Sequence, residues 1–226
     1  GQTVVVKVQH DKIHKRVQDD LEVLSGLATL AEKIPELAHY RPSATVAQIS
    51  RMIRRELDFG REERNLQQFA ARFENDPTVR VPHAYTEYST SKVLTMEMLN
   101  GHKFTEPEEL VADGYDLEQV VRRGADIYLR MIFADGFYHA DPHPGNLLLM
   151  PGNVIGLLDF GLVGRLEERL REDIEQMLMA VSQEDVVLLA SIIKRVGSVP
   201  PALENDALEA ELADFIGVYT TQPLQQ

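Results

Sequence analysis

Three side chains in the second half of the chain have the types and spacing that phosphoryl transfer uses. The run His139-Ala140-Asp141-Pro142-His143-Pro144-Gly145-Asn146 sets an Asp and an Asn five residues apart, and Asp159-Phe160-Gly161 follows after a short apolar segment. That order provides one carboxylate, Asp141, to face a nucleophile, and two oxygen ligands, Asn146 and Asp159, for a magnesium ion. Mg²⁺ keeps several waters and takes one or two protein oxygens besides phosphate, so an amide and a carboxylate suffice. Singly, a His-x-Asp or an Asp-Phe-Gly marks an ordinary turn; the shared order and spacing carry the reading. A competing reading joins His139, Asp141 and His143 as a two-histidine, one-carboxylate metal cluster. It lacks a ligand from a distant strand and leaves Asp159 without a role, and His143 reads as a structural loop histidine.

The elements around these residues must bring them together. Tyr138 to Pro144 mixes His, Asp and Pro with small residues and predicts a loop. Asn146 to Met150 and Val154 to Leu158 are apolar runs around Pro151-Gly152-Asn153, a hairpin pattern that draws Asn146 towards Asp159. Near the start, Val4-Val5-Val6-Lys7-Val8-Gln9 resembles the strand on which protein kinases carry their phosphate-neutralising lysine, here Lys7. The plain alternative is a charge on an edge strand. Glu56-Leu57-Asp58-Phe59-Gly60-Arg61-Glu62 opens a helical stretch towards Phe73, with several acids in reach of Lys7, although most charges on such a helix are solvated. Val93 to Met98 predicts a buried strand ending at the Asn100-Gly101 turn. It resembles a kinase hinge, with Met96 as gatekeeper and the backbone of Glu97 and Met98 meeting an adenine edge; alone, it reads equally well as a core strand.

The residues that set this chain apart from ordinary protein kinases are Glu56-x-Asp58, Glu62, Asn65 and the loop from His139 to Asn146, in which Ala140 stands where a protein kinase has Arg. On these the chain resembles the UbiB family of atypical kinase-like proteins over roughly Gly1 to Arg165. The resemblance implies binding of ATP with Mg²⁺, ATPase activity, and a role in ubiquinone or other isoprenoid-lipid metabolism. It makes Glu62, rather than Glu56, the partner of Lys7. It assigns Glu56 and Asp58 to a family-specific element near the nucleotide, and gives Asp141, Asn146 and Asp159 the catalytic and metal roles argued above. Implied partners are a lipid or quinone-precursor small molecule, quinone-biosynthesis proteins and a peripheral membrane contact, on the cytoplasmic side of a bacterial inner membrane or within an organelle.

About fifty residues separate Lys7 from Glu62, where a protein kinase connects strand and helix directly. Ile13, Val17, Leu21, Leu24, Leu27, Leu30 and Ala31 recur at near-helical spacing and a second helix follows Pro42, so a helical pair is expected over about 10–55. Those apolar residues are expected to pack between the helices rather than line a lipid groove. After Gly161, Leu162-Val163-Gly164-Arg165 runs almost directly into a helical pattern over Leu166 to Ala180, with no Ala-Pro-Glu. Without that peptide-docking platform, a small molecule, a lipid or water is the expected acceptor. Asp116 with Gln119 reads as a capping box for a long helix ending near Gly136, and Gly197 to Pro201 separates a final helix over Glu204 to Tyr219.

The expected fold is α+β and kinase-like, with two lobes. Residues 1–100 form a truncated N-lobe with the helical insert and a hinge strand over 93–98, and 101–226 form a mainly helical C-lobe. The chain opens inside the lysine strand, so the phosphate-covering loop and a Lys-x-Gly-Gln segment are expected upstream. The charge of −13, from 23 basic and 36 acidic residues, argues against a nucleic-acid partner and against bulk attraction to anionic lipid. With no cysteine, disulfides and thiolate metal sites are excluded. Two other functions compete: a small-molecule kinase of the aminoglycoside or choline type, against which Glu56-Leu57-Asp58-Phe59 and Pro142 argue, and a nucleotide-gated scaffold without useful turnover.

Overall fold

The computed structural model of the chain describes residues 1–104, 107–197 and 205–221. In chain order it contains β1 (Val4–Val8), α1 (Ile13–Ala31), α2 (Pro35–Ala38), α3 (Pro42–Glu56), α4 (Phe59–Arg72), β2 (Val79–Arg80), β3 (Val93–Glu97), β4 (His102–Lys103), α5 (Pro107–Ala112) and α6 (Leu117–Leu129). There follow β5 (Phe137–His139), β6 (Leu147–Met150), β7 (Val154–Leu157), β8 (Val163–Arg165), α7 (Glu168–Ser182), α8 (Val186–Val196) and α9 (Asn205–Thr221). The α+β class expected from the sequence is the one found. Packing divides the chain into a first unit, 1–127 with 139–163, and a second, 128–138 with 164–226.

In the first unit β1 pairs antiparallel with β3, Lys7 opposite Leu94. A second sheet has the order β2-β7-β6-β4, with β2 parallel to β7 and the other pairs antiparallel. The β6–β7 hairpin closes through Gly152 and Asn153, both left-handed at φ 79° and 58°, a conformation that Gly and Asn adopt at least cost. The side chain of Asn153 accepts from the backbone N–H of Asp116 at 3.1 Å, which seats the start of α6 on this turn. The expected capping box is half formed: Asp116 accepts from the N–H of Gln119 at 3.0 Å, but the Gln119 side chain turns to Asn153 instead.

Leu66 and Phe69 of α4, Phe73 just after it, Leu94 and Met96 of β3, Leu149, Ile155 and Leu157 of the hairpin, and Phe160 are all buried. α4 shows why: its apolar residues recur three and four apart, so one stripe meets β3 while Arg64 and Gln67 are exposed.

The insert departs from the sequence expectation. α1 packs on α3 as a helical pair, but it buries only Leu21 and Ala28 fully. Val23, Leu24, Leu27 and Leu30 are exposed, so part of the apolar pattern stays open to solvent rather than buried between the helices. One helix resting on one neighbour covers a single stripe, and α1 carries apolar residues well beyond that stripe.

In the second unit α7, α8 and α9 share a core of Ala180, Leu189 and Ile216. The long helix expected to end near Gly136 stops as an α-helix at Leu129 and continues as a wider π-type turn over Arg130–Ala134. Within this unit Gly164 lies under Tyr138: a Cβ on Gly164 would stand 2.1 Å from the Tyr138 ring. The helix after Leu162-Val163-Gly164-Arg165 starts at Glu168, two residues later than expected. The punctuation expected at 198–201 and the start of the last helix at Glu204 lie outside the described residues.

Candidate active site

β1 alternates, so Val5 and Lys7 turn inward while Val4, Val6 and Val8 face out. That places the Lys7 amine beside α4. α4 begins where Asp58 caps it, its side chain accepting from the N–H of Gly60 at 3.0 Å. The cap fixes the first turn, and Glu62 emerges from it into the core with 4% exposure. Lys7 Nζ donates to Glu62 Oε1 and, at 3.1 Å, to Asp159 Oδ2. Of the acids near Lys7 the geometry thus selects Glu62 and Asp159.

Asp159-Phe160-Gly161 is held at each residue. Asp159 Oδ1 accepts from the N–H of Gly161 at 2.9 Å, and Asn65 Nδ2 donates to the carbonyl of Phe160 at 2.8 Å. The ring of Phe160 is fully buried, 5.3 Å from that of Phe69 and 6.1 Å from that of His139. His139 is therefore a core residue, expected in a loop but found at the end of β5, and its Nδ1 accepts from the N–H of Asp141 at 3.2 Å. Burial lowers its pKa below the ordinary value, against the pull of the Asp159 backbone and the nearby carboxylates. A neutral ring that accepts from Asp141 and packs on two phenyl groups fits a loop anchor. His143 likewise accepts locally, from the N–H of Gly145 at 3.0 Å. Among the described residues no group of three His, Cys, Asp or Glu is placed to hold a metal ion.

Asn146 closes a 3₁₀ turn over Pro144–Asn146, and its Nδ2 donates to Asp141 Oδ2 at 2.9 Å and to the Asp141 carbonyl at 3.2 Å. Because the amide nitrogen is committed to Asp141, the amide oxygen is left to accept a cation. Lys7, Glu56, Glu62, Asp141, Asn146 and Asp159 line one cleft of about 510 Å³ in the first unit. Four carboxylates share it with one lysine. Burial depresses the Lys7 pKa, but Glu62 and then Asp159 outweigh that and raise it above the ordinary value. Burial raises Glu62 despite Lys7, while Asp159 is lowered against its burial by Lys7 and the N–H of Gly161. Glu56 is raised by burial and then by the charges of Asp159, Asp141 and Glu62. Those three like charges oppose its ionisation, the condition a divalent cation relieves.

The structure does not bring every predicted residue here. Asp58 caps α4 rather than lining the cleft. Glu97 and Met98 line a separate cleft of about 590 Å³ with Arg80 and His83. The backbone N–H of Glu97 already donates to the His83 carbonyl at 2.8 Å, and its side chain accepts from Arg80 Nη2 at 2.6 Å and from the N–H of His83 at 3.0 Å. Sequence reasoning passed over Gln9, whose amide reaches the carbonyls of Leu57 and Ser91. Its signal is slight: a glutamine at the end of a valine-rich strand, two residues after the lysine.

A family model described as the ABC1 atypical kinase-like domain matches residues 1–193. The chain is 32% identical over 197 residues to an uncharacterized protein in the hydrogenase 1 5′ region of Clostridium pasteurianum, covering 87% of this chain and 37% of that protein. It is 30% identical over 226 residues to the uncharacterized protein slr1919 of Synechocystis, covering all of this chain and 40% of that one. The chain thus spans about two fifths of the length of these curated relatives. Among solved structures it is similar to Rv3197 of Mycobacterium tuberculosis, determined as a complex with erythromycin, with a TM-score of 0.66 at 20% identity over 98% of this chain and 56% of that one. At that identity the likeness speaks for the fold.

Proposed function

Because the chain belongs to the ABC1 atypical kinase-like domain family, which includes the UbiB proteins, we propose that its cleft binds ATP with Mg²⁺ and transfers the terminal phosphoryl group to water or a small acceptor. The observation that carries this reading is the meeting of Lys7, Glu62, Asp141, Asn146 and Asp159 around one cleft. Lys7, held charged by two carboxylates, is placed to neutralise phosphate oxygens. Asn146 and Asp159 are the residues that would hold Mg²⁺; a carboxylate and an amide oxygen suit a hard cation that keeps its waters, and the excess of negative charge around Glu56 fits one. Bound there, Mg²⁺ would neutralise charge developing on the phosphates. Asp141, oriented by Asn146, is the proton acceptor for the attacking hydroxyl.

The brevity of the segment from Gly161 to α7 supports a small acceptor over a peptide. In our reading the acceptor belongs to quinone or isoprenoid-lipid metabolism, with quinone-biosynthesis proteins as partners and a peripheral membrane contact; the family resemblance supports this reading. Among the described residues no helix is long and apolar enough to cross one. The test is Mg²⁺-dependent ATP hydrolysis, with and without lipid vesicles or a phenolic quinone-precursor mimic. We expect Asp159→Asn to abolish Mg²⁺-dependent binding and turnover. We expect Asp141→Asn to keep binding while turnover falls about 100-fold, the scale for losing a positioned base. Equal loss of binding in both would sink the role assignment.

A further inference from the structure

Gln9 lies between β1 and α1, two residues after Lys7, and its side chain uses both ends of its amide. Nε2 donates to the carbonyl of Leu57 and, at 3.1 Å, to that of Ser91, while Oε1 faces His14 Nε2 at 3.0 Å. The backbone N–H donates to Lys92 at 3.0 Å. Leu57 is the residue between Glu56 and Asp58, and the Ser91 carbonyl also accepts from the N–H of Phe59, the first residue of α4, at 3.1 Å. One glutamine thus ties the lysine strand to the junction of α3 and α4 and to the turn before β3. Glu56 ends α3 at that junction and lines the cleft beside Asp159, Asp141 and Glu62, whose charges oppose its own. Repulsion from those three carboxylates works against its place in the cleft, so that place depends on where its backbone is held.

We propose that Gln9 is a positioning residue, which holds Glu56 in the cleft by anchoring the junction between α3 and α4 to the Lys7 strand. The two donor hydrogens set the position, and the His14 contact fixes which way the amide faces and links it to the first turn of α1. A shift of α1 is thereby felt at the cleft. The inference rests on the reading of the cleft as a Mg²⁺–nucleotide site.

Its test is titration of Mg²⁺ into the protein with a fluorescent ATP analogue. Gln9→Leu should raise the Mg²⁺ half-saturation roughly 10-fold, the lower end of what supporting groups contribute. Gln9→Glu, of the same length but without hydrogens for the two carbonyls, should lose as much. His14→Ala, which leaves both donor bonds, should move the same parameter less. The Gln9→Leu/Glu56→Gln double variant should be no worse than the poorer single one, since the first acts through the second. An unchanged Mg²⁺ dependence in Gln9→Leu, full retention in Gln9→Glu, or additive losses in the double variant would overturn the proposal. Hydrogen exchange in the ligand-free protein separates the two levels. Gln9→Glu should speed exchange of the Phe59 amide about 10-fold, whereas wild-type exchange there would refute the anchor. If the wild type fails to bind Mg²⁺–nucleotide, the proposed function falls while the exchange result still decides the anchor.

Discussion

Two glutamates of the first unit each meet a cation from a neighbouring strand, yet their acidities move in opposite directions. Glu97 is half exposed, and although its burial works the other way, Arg80 and the N–H of His83 lower its pKa. Glu62 is buried against Lys7 and its pKa is nevertheless raised, because burial is deeper and Lys7 is shared with Asp159. The pair at Glu97 is satisfied within the protein: one carboxylate has an arginine and a backbone donor to itself. The pair at Glu62 belongs to a cleft where negative charge exceeds positive charge. A fold holds such an excess in place only through the rest of its packing, here the buried stripe of α4 and the fully buried Phe160.

The contrast can be broken by mutation. Glu62→Ala should act most strongly. It leaves Lys7 to Asp159 alone and removes an acceptor from the N–H of Phe160, for an expected loss of about 3 kcal/mol in denaturant unfolding, with turnover lost as well. Glu56→Gln should act in the other sense on the ligand-free protein. A carboxyl group whose pKa is higher folded than unfolded costs stability as pH rises through that pKa. Removing the charge should therefore raise the melting temperature near neutral pH, by roughly 2 °C, and leave it unchanged at acid pH. Asp159, lowered in the folded state, runs opposite: its contribution is present above the ordinary carboxylate range and fades as pH falls. Arg80→Ala should do least, below about 1 kcal/mol, as for other half-exposed pairs. It should leave the Mg²⁺ half-saturation untouched; a change there would mean that the two regions are not separate.

What was legible in the sequence followed short-range rules. The β6–β7 hairpin comes from two apolar runs and a Gly-Asn turn; the helix expected to open at Glu56 instead starts at Phe59, because Glu56 ends α3 and Asp58 caps α4. The meeting of Lys7 with Glu62 spans 55 positions, and the residues alone left several acids open; family resemblance singled out Glu62, and the geometry agrees. What stayed hidden depended on which partner a surface finds. The spacing of Leu24, Leu27 and Leu30 is the spacing of a buried face, but α3 covers only one stripe of α1. A hinge-like run does not disclose that the N–H of Glu97 is already bound to His83. The α8 helix passed unread, and Gln9 shows no pattern at all, since three carbonyl and ring partners from three segments define it.

The seat of Tyr138 on Gly164 reaches beyond this one molecule, to the order in which its sequence can drift. A methyl group at 164 has no room while the ring is in place, with the Tyr138 hydroxyl 2.4 Å from where it would stand. Exchange of Tyr138 for a smaller residue opens that room, and only afterwards does Gly164 become free to vary. The two positions therefore have a preferred order of change, and the same Gly164→Ala substitution is harmful in one ancestor and silent in its descendant.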